Sequence, residues 1–194
     1  MKKVLLFTLL LTLSFYGFSQ DKVKDSTQVK EETYVPTGIK FGVRGGYNIS
    51  NVDLDDGTVV NVPNKHRNSF YIGFFANIGL SRTLSLMPEL QFSPEGANDE
   101  KLHLDYIQAP VLLRIKMSEK LHIAAGPQVS IKSHKTQDGV KNMAYSAVGG
   151  FEYKINYALF ADLRYTYGLR NIFDDASGNS ATNTNIQIGI GYKF

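Results

Sequence analysis

The sequence predicts an all-β fold: an eight-stranded antiparallel up-and-down transmembrane β-barrel. From Gly38 onward, apolar residues recur at every second position, as in strands whose two faces differ. The segments have about 9 to 13 residues, a length that crosses a bilayer when a strand is tilted. Long and short connections alternate between them, which is typical of barrels with tight turns at one membrane surface and longer loops at the other.

The start of the chain predicts export. Two lysines are followed by an apolar stretch of about 15 residues and by Gly17-Phe18-Ser19, a small-any-small triplet that suits signal peptidase. The next segment lacks apolar periodicity and ends at a proline, which indicates a flexible tail. The predicted domains are a signal peptide (residues 1–19), a flexible periplasmic tail (residues 20–37) and the outer-membrane β-barrel domain (residues 38–194).

The first three predicted strands alternate regularly. Apolar residues occupy odd positions from Ile39 to Ile49, and even positions in the next two strands. Pro88 lies inside the third strand, where its missing N–H requires a bulge or an unpaired position in the ladder.

The fourth predicted strand, residues 102–116, changes phase. Leu104 and Tyr106 share one parity, whereas the apolar residues from Ile107 to Ile115 share the other. We expect a bulge near residues 106–108 to bring both sets onto one face.

The last four strands restore the alternation. The fifth has apolar residues at odd positions from Leu121 to Ile131, with Pro127 posing the same problem as Pro88. The sixth and seventh are predicted at residues 143–155 and 158–170. The eighth, residues 182–194, has its apolar residues at even positions.

Volume decides which face of these strands meets lipid. The apolar set contains on the order of 45 large side chains, whereas an eight-stranded interior is only just wide enough to be filled by side chains. The opposite set combines glycines with long charged side chains, which suits a narrow lumen. A soluble ligand-carrying barrel is therefore disfavoured, and the apolar face is placed in lipid.

Six charged residues fall on the predicted lumen face. Buried charges are stable only when they are paired and hydrogen-bonded. We therefore interpret these residues as a structural salt-bridge network that fills the lumen, in preference to a proton or ion path. The residues are Arg44, Glu89, Arg114, Glu152, Asp162 and Arg164.

Cofactor, metal and nucleic-acid binding find no support in the composition. The chain has no cysteine, and its four histidines lack metal-ligand spacing. Without the leader, 19 basic residues face 18 acidic ones, which gives no electrostatic footprint for nucleic acid. We expect a protein that is not an enzyme and that uses no cofactor.

Two alternatives remain open at this stage. An outer-leaflet lipid-modifying enzyme would use His103 or His134 as a base, with Ser93, Ser133 or Asp105 nearby. A narrow channel is the other alternative.

Four lysines are predicted at the periplasmic rim, where they would contact lipid headgroups or a docking partner: Lys40, Lys116, Lys154 and Lys193.

Six segments resemble the PorT-like family of outer-membrane β-barrel proteins, and together they cover nearly all of the chain after Gly38. The segments are FGVRGGYNIS (41–50), LSLMPELQFSPEGA (84–97), LDYIQAPVLLRIKM (104–117), LHIAAGPQVSIK (121–132), ADLRYTYGLRNI (161–172) and IQIGIGYKF (186–194). The family's motif positions are held here by Glu89, Pro110, Gly126, Arg164 and Gly168.

This resemblance implies an eight-stranded barrel in the outer membrane of a Gram-negative cell. It also implies a terminal aromatic residue, here Phe194, that the barrel-assembly machinery recognises during biogenesis. No catalytic residue is carried over. The expected function is a structural or accessory role, linked to secretion or cell-surface assembly in the namesake branch. The expected partners are outer-membrane lipid and a protein in the outer membrane or periplasm.

Overall fold

The computed structural model describes residues 38–54, 65–97, 103–133, 141–173 and 180–194, all within one compact unit. The predicted signal peptide and periplasmic tail lie outside the described residues. The strands are β1 (Ile39–Leu54), β2 (Arg67–Gly79), β3 (Leu84–Gly96), β4 (His103–Lys116), β5 (Leu121–Lys132), β6 (Met143–Lys154), β7 (Leu159–Gly168) and β8 (Ala181–Lys193).

The eight strands form a closed antiparallel barrel in sequence order, which confirms the predicted topology. Each strand pairs with its neighbours in the chain, and β1 closes the barrel by pairing with β8. Three connections, after β2, β4 and β6, are turns of four residues, so the short-turn end of the barrel also holds the start of β1 and the end of β8. The described part of the chain contains no helix that is long and apolar enough to cross a membrane.

The two faces of each strand differ sharply in exposure. In β2, Phe70, Ile72 and Phe74 are 76%, 63% and 64% exposed, whereas Tyr71 and Phe75 are both 3% exposed. Many of the buried side chains are polar, for example Arg44 and Gln187, each 2% exposed. Apolar side chains outside and polar ones inside are the arrangement expected of a barrel in lipid. Exposed aromatic side chains occur toward the loops at Phe70, Phe92, Tyr165 and Tyr167, and toward the short turns at Tyr153, Tyr157, Tyr192 and Phe194.

The bulge expected in β4 is wrong. Pairing with β3 keeps one register throughout and places Tyr106 opposite Ser93. Leu104 and Tyr106 therefore keep their lumen-facing parity, and both are buried in an apolar cluster inside the barrel. The sequence pattern misleads here because apolar side chains that fill the lumen look the same as those that face lipid.

Pro88 and Pro127, two of the four prolines inside the strands, each lie in a gap of one hydrogen-bonded ladder. The pairing of β2 with β3 skips two residue pairs, one of them at Pro88, and that of β4 with β5 skips two, one of them at Pro127. The register is the same on both sides of each gap. A local unpaired position, without a bulge, therefore accommodates the missing N–H.

Candidate functional site in the barrel lumen

Four of the six predicted lumen charges meet near the middle of the barrel. Arg44, Glu89, Asp162 and Arg164 come from β1, β3 and β7, and are called the ion quartet below. Arg44 Nη2 donates to Asp162 Oδ1 at 2.6 Å, and Arg44 Nη1 donates to Glu89 Oε2 at 3.3 Å. Arg164 donates to both oxygens of Glu89 at 2.8 Å. Two guanidinium groups thus neutralise two carboxylates, away from water.

Neutral side chains complete the hydrogen bonding of the quartet. Arg44 also donates to Tyr71 Oη at 2.7 Å and to Gln91 Oε1 at 3.0 Å. Its guanidinium carbon lies 4.6 Å from the centre of the Tyr71 ring, which adds a cation–π contact. Since the Arg44 side chain has no solvent exposure, these partners are what make its burial tolerable.

The other two predicted charges form a separate cluster toward the short-turn end. Arg114 Nε donates to Glu152 Oε2 at 2.9 Å, in a two-pronged contact that includes Arg114 Nη2 and Glu152 Oε1. Lys193 Nζ donates to Glu152 Oε1 at 2.8 Å and lies 4.4 Å from the centre of the Phe160 ring. The sequence pattern predicts Lys193 at the rim, and its pairing with Glu152 was not predicted.

An apolar layer separates the two charged clusters. It contains Phe75, Met87, Leu112, Ala124, Val148 and Phe160. Along β3 the lumen-facing order is Met87 in this layer and Glu89 in the quartet. Phe75 and Phe160 meet edge to face with ring centres 5.6 Å apart. The bore at this level is therefore packed with side chains, as expected for an eight-stranded barrel.

Glu95 is a buried lumen carboxylate that was not among the predicted lumen charges. Its Oε1 accepts hydrogen bonds from Ser93, Gln108 and Asn185 at 2.8–2.9 Å. Its Oε2 accepts one from Asn183 at 2.6 Å. The sequence pattern could have identified this residue, because Glu95 occupies an odd position of β3, as Glu89 does, and therefore also faces the lumen.

A family comparison decides the class of this protein. The family model described as "Outer membrane protein beta-barrel domain" matches residues 18–174. The chain belongs to this family. The protein is accordingly an integral barrel of the outer membrane, with its apolar face in lipid.

Solved structures support the same fold for this outer-membrane barrel. The attachment invasion locus protein Ail of Yersinia pestis is 12% identical with a TM-score of 0.51, over 80% of this chain and 98% of that one. Neisserial surface protein A is 13% identical with a TM-score of 0.55, over 81% of this chain and 99% of that one. A search of curated protein sequences gives no match.

The residues considered for an enzyme form no serine–histidine pair in the described part of this outer-membrane barrel, although Ser133 N donates to the backbone oxygen of Asp105 at 2.7 Å. The Ser93 hydroxyl is buried in the lumen and donates to Glu95, whereas Asp105 pairs with Arg67 at 2.8 Å. No hydrogen bond between a histidine and a serine occurs among the described residues, and His134 lies outside them. Nor do the described residues include a group of three or more His, Cys, Asp or Glu side chains suited to a metal ion.

Phe194 follows the last residue of β8 at the short-turn end. Its backbone N–H donates to Phe41 O at 2.9 Å, and its side chain is 69% exposed. The ring packs at a tilt against Tyr192, with 6.5 Å between ring centres. Its recognition by the barrel-assembly machinery stays a prediction.

Proposed function

We propose that this outer-membrane barrel is a non-enzymatic structural or accessory component of the outer membrane, acting in secretion or cell-surface assembly. The six segments that resemble PorT-like proteins support this assignment. The observation that carries it is the ion quartet, because its charged atoms are used in contacts within the protein. A barrel of this kind acts through its two ends, where it docks a protein partner.

The quartet leaves little capacity for a substrate or a moving ion. Both oxygens of Glu89 accept from Arg164, and one also accepts from Arg44. Asp162 binds Arg44 through both oxygens, at 2.6 and 3.3 Å. Opening this site would break several charge-assisted hydrogen bonds at once, each worth about 1.5–3 kcal/mol.

A partner can be tested by affinity purification from detergent-solubilised outer membranes. The tagged barrel is expected to bring down one protein in stoichiometric amount. Photo-crosslinking side chains at Lys65, near the long loops, and at Lys120, in a short turn, would show which end is in contact. Repeated recovery of the barrel alone, with no crosslink from either position, would count against docking.

Because side chains fill the bore, we predict that the barrel conducts no ions. Purified protein in a planar bilayer is expected to give no discrete conductance steps, because the quartet and the apolar layer fill the bore. A useful control is Arg44→Ala with Arg164→Ala, since these changes remove the two largest side chains of the quartet. Reproducible unitary steps from the wild-type protein would contradict the prediction and favour a channel.

A further inference from the structure

A strongly basic cavity opens at the short-turn end of the barrel. Its volume is about 220 Å³, and six cationic side chains line it. They come from β1, the turn after β2, β4, β6 and β8, and they are Lys40, Arg82, Arg114, Lys116, Lys154 and Lys193. We call this cavity the basic mouth.

The lysines of the basic mouth face the bore and not the bilayer. Lys40 lies between Ile39 and Phe41, both of which are 56% exposed to the lipid side. Lys193 likewise lies between the exposed Tyr192 and Phe194. Because successive side chains of a strand point to opposite faces, such lysines have the parity of the lumen. Lipid contact from the outer surface therefore does not account for their position.

Acidic groups offset only part of this charge. Glu152 binds Arg114 and Lys193, as described above, and Glu119 binds Lys116 at 2.7 Å. The hydrogen bond from Lys116 lowers the pKa of the Glu119 carboxyl, which keeps it ionised. Within the part of the chain that the structure describes, Lys40, Arg82 and Lys154 have no carboxylate within ion-pair distance. The mouth thus has a clear excess of positive charge.

A buried histidine lines the same cavity and has an unpartnered ring nitrogen. His122 is only 6% exposed and lines the basic mouth, yet its Nδ1 has no hydrogen-bond partner. A buried polar atom without a partner is unfavourable. In the tautomer that protonates it, this ring nitrogen is a donor that an anion in the mouth can engage only after the ring turns, because the atom has almost no exposed surface.

We propose that the basic mouth binds a phosphate group. Phosphate oxygens accept several hydrogen bonds at once from lysine and arginine, and a cleft lined by one sign of charge concentrates ions of the other. With a volume of about 220 Å³, the cavity has room for a phosphate with a small attached group and is too small for a folded domain. The phosphate belongs to a soluble periplasmic compound or to a lipid headgroup. This inference does not depend on the proposed docking role.

The first experiment uses the full chain in a maltoside detergent, which contains no phosphate. Inorganic phosphate is titrated by calorimetry into wild type, into Lys40→Ala with Lys154→Ala, and into Lys120→Ala. The double variant removes two cations that have no carboxylate partner, and we expect it to weaken binding about tenfold. Lys120 lies at the same end but does not line the cavity, so its replacement should leave the affinity unchanged.

A second titration separates the two sources of phosphate. Phosphatidylglycerol in mixed micelles should displace inorganic phosphate from wild type if the ligand is a headgroup, and should leave phosphate binding unchanged if the ligand is soluble. Gel mobility with and without heating checks that each variant is a folded barrel. Absence of saturable binding with both probes, or an equal loss in Lys120→Ala, would overturn the proposal.

Discussion

Arg44→Met is expected to lower the free energy of unfolding by about 3–5 kcal/mol, the typical cost of breaking a buried ion pair by removing one partner. The change deletes both hydrogen bonds to Asp162 and leaves that carboxylate with Arg164 at 3.8 Å as its remaining ion pair. Glu89 keeps its two-pronged contact with Arg164, so the damage is concentrated at Asp162. Urea unfolding of the barrel in lipid vesicles measures the effect.

Two variants test whether the uncompensated carboxylate is the cause. Adding Asp162→Asn to Arg44→Met removes the unpaired charge and is expected to recover part of the loss. Lys116→Met breaks an ion pair whose Glu119 side chain is 87% exposed, and it should lower the free energy of unfolding far less than Arg44→Met does. An Arg44→Met loss as small as that of Lys116→Met would show that the quartet contributes little to stability.

Side-chain parity made the lumen charges predictable as a set. A strand in a closed barrel has one face inside, so the alternation around Arg44 and Glu89 was enough to place both in the bore. The positions of Lys40 near the start of β1 and of Lys193 at the end of β8 placed both at the short-turn end, once the strand directions were known. The alternation also predicted the barrel itself, because long and short connections recur in step with it.

The pairing within the set was not predictable, because it depends on how the strands are staggered around the barrel. Arg44 and Asp162 are 118 positions apart and lie on β1 and β7, which are not neighbouring strands. Their contact depends on the registers through β8, where Arg44 pairs with Gly191 and Asp162 with Gly189. The alternation of residues along each strand does not reveal how far neighbouring strands are shifted. The sequence therefore could not show that the six charges form two separate clusters.

Two adjacent glycines in β6, Gly149 and Gly150, differ in the space around them, so alanine substitutions at the two positions are expected to differ in their effect on stability. Gly150 lies opposite Arg164 in the β6–β7 ladder, and a Cβ there would clash with the backbone carbonyl of Leu163 and lie 2.9 Å from Arg164 Cγ. The neighbouring Gly149 has nothing within 4 Å of the same position. The close approach of β6 to β7 beside the ion quartet therefore requires glycine at position 150 but not at position 149.

Gly150→Ala is expected to destabilise the barrel by about 1–3 kcal/mol, because the added methyl must push β7 or the Arg164 side chain away. Gly149→Ala should stay within about 1 kcal/mol of wild type, on the stabilising side, since alanine reduces the freedom of the unfolded chain. The two variants add the same atoms one residue apart, so they share any general effect of alanine on strand propensity. Urea titration in the same vesicles compares them, and equal free energies of unfolding would mean that the contact at Gly150 relaxes without cost and does not position Arg164.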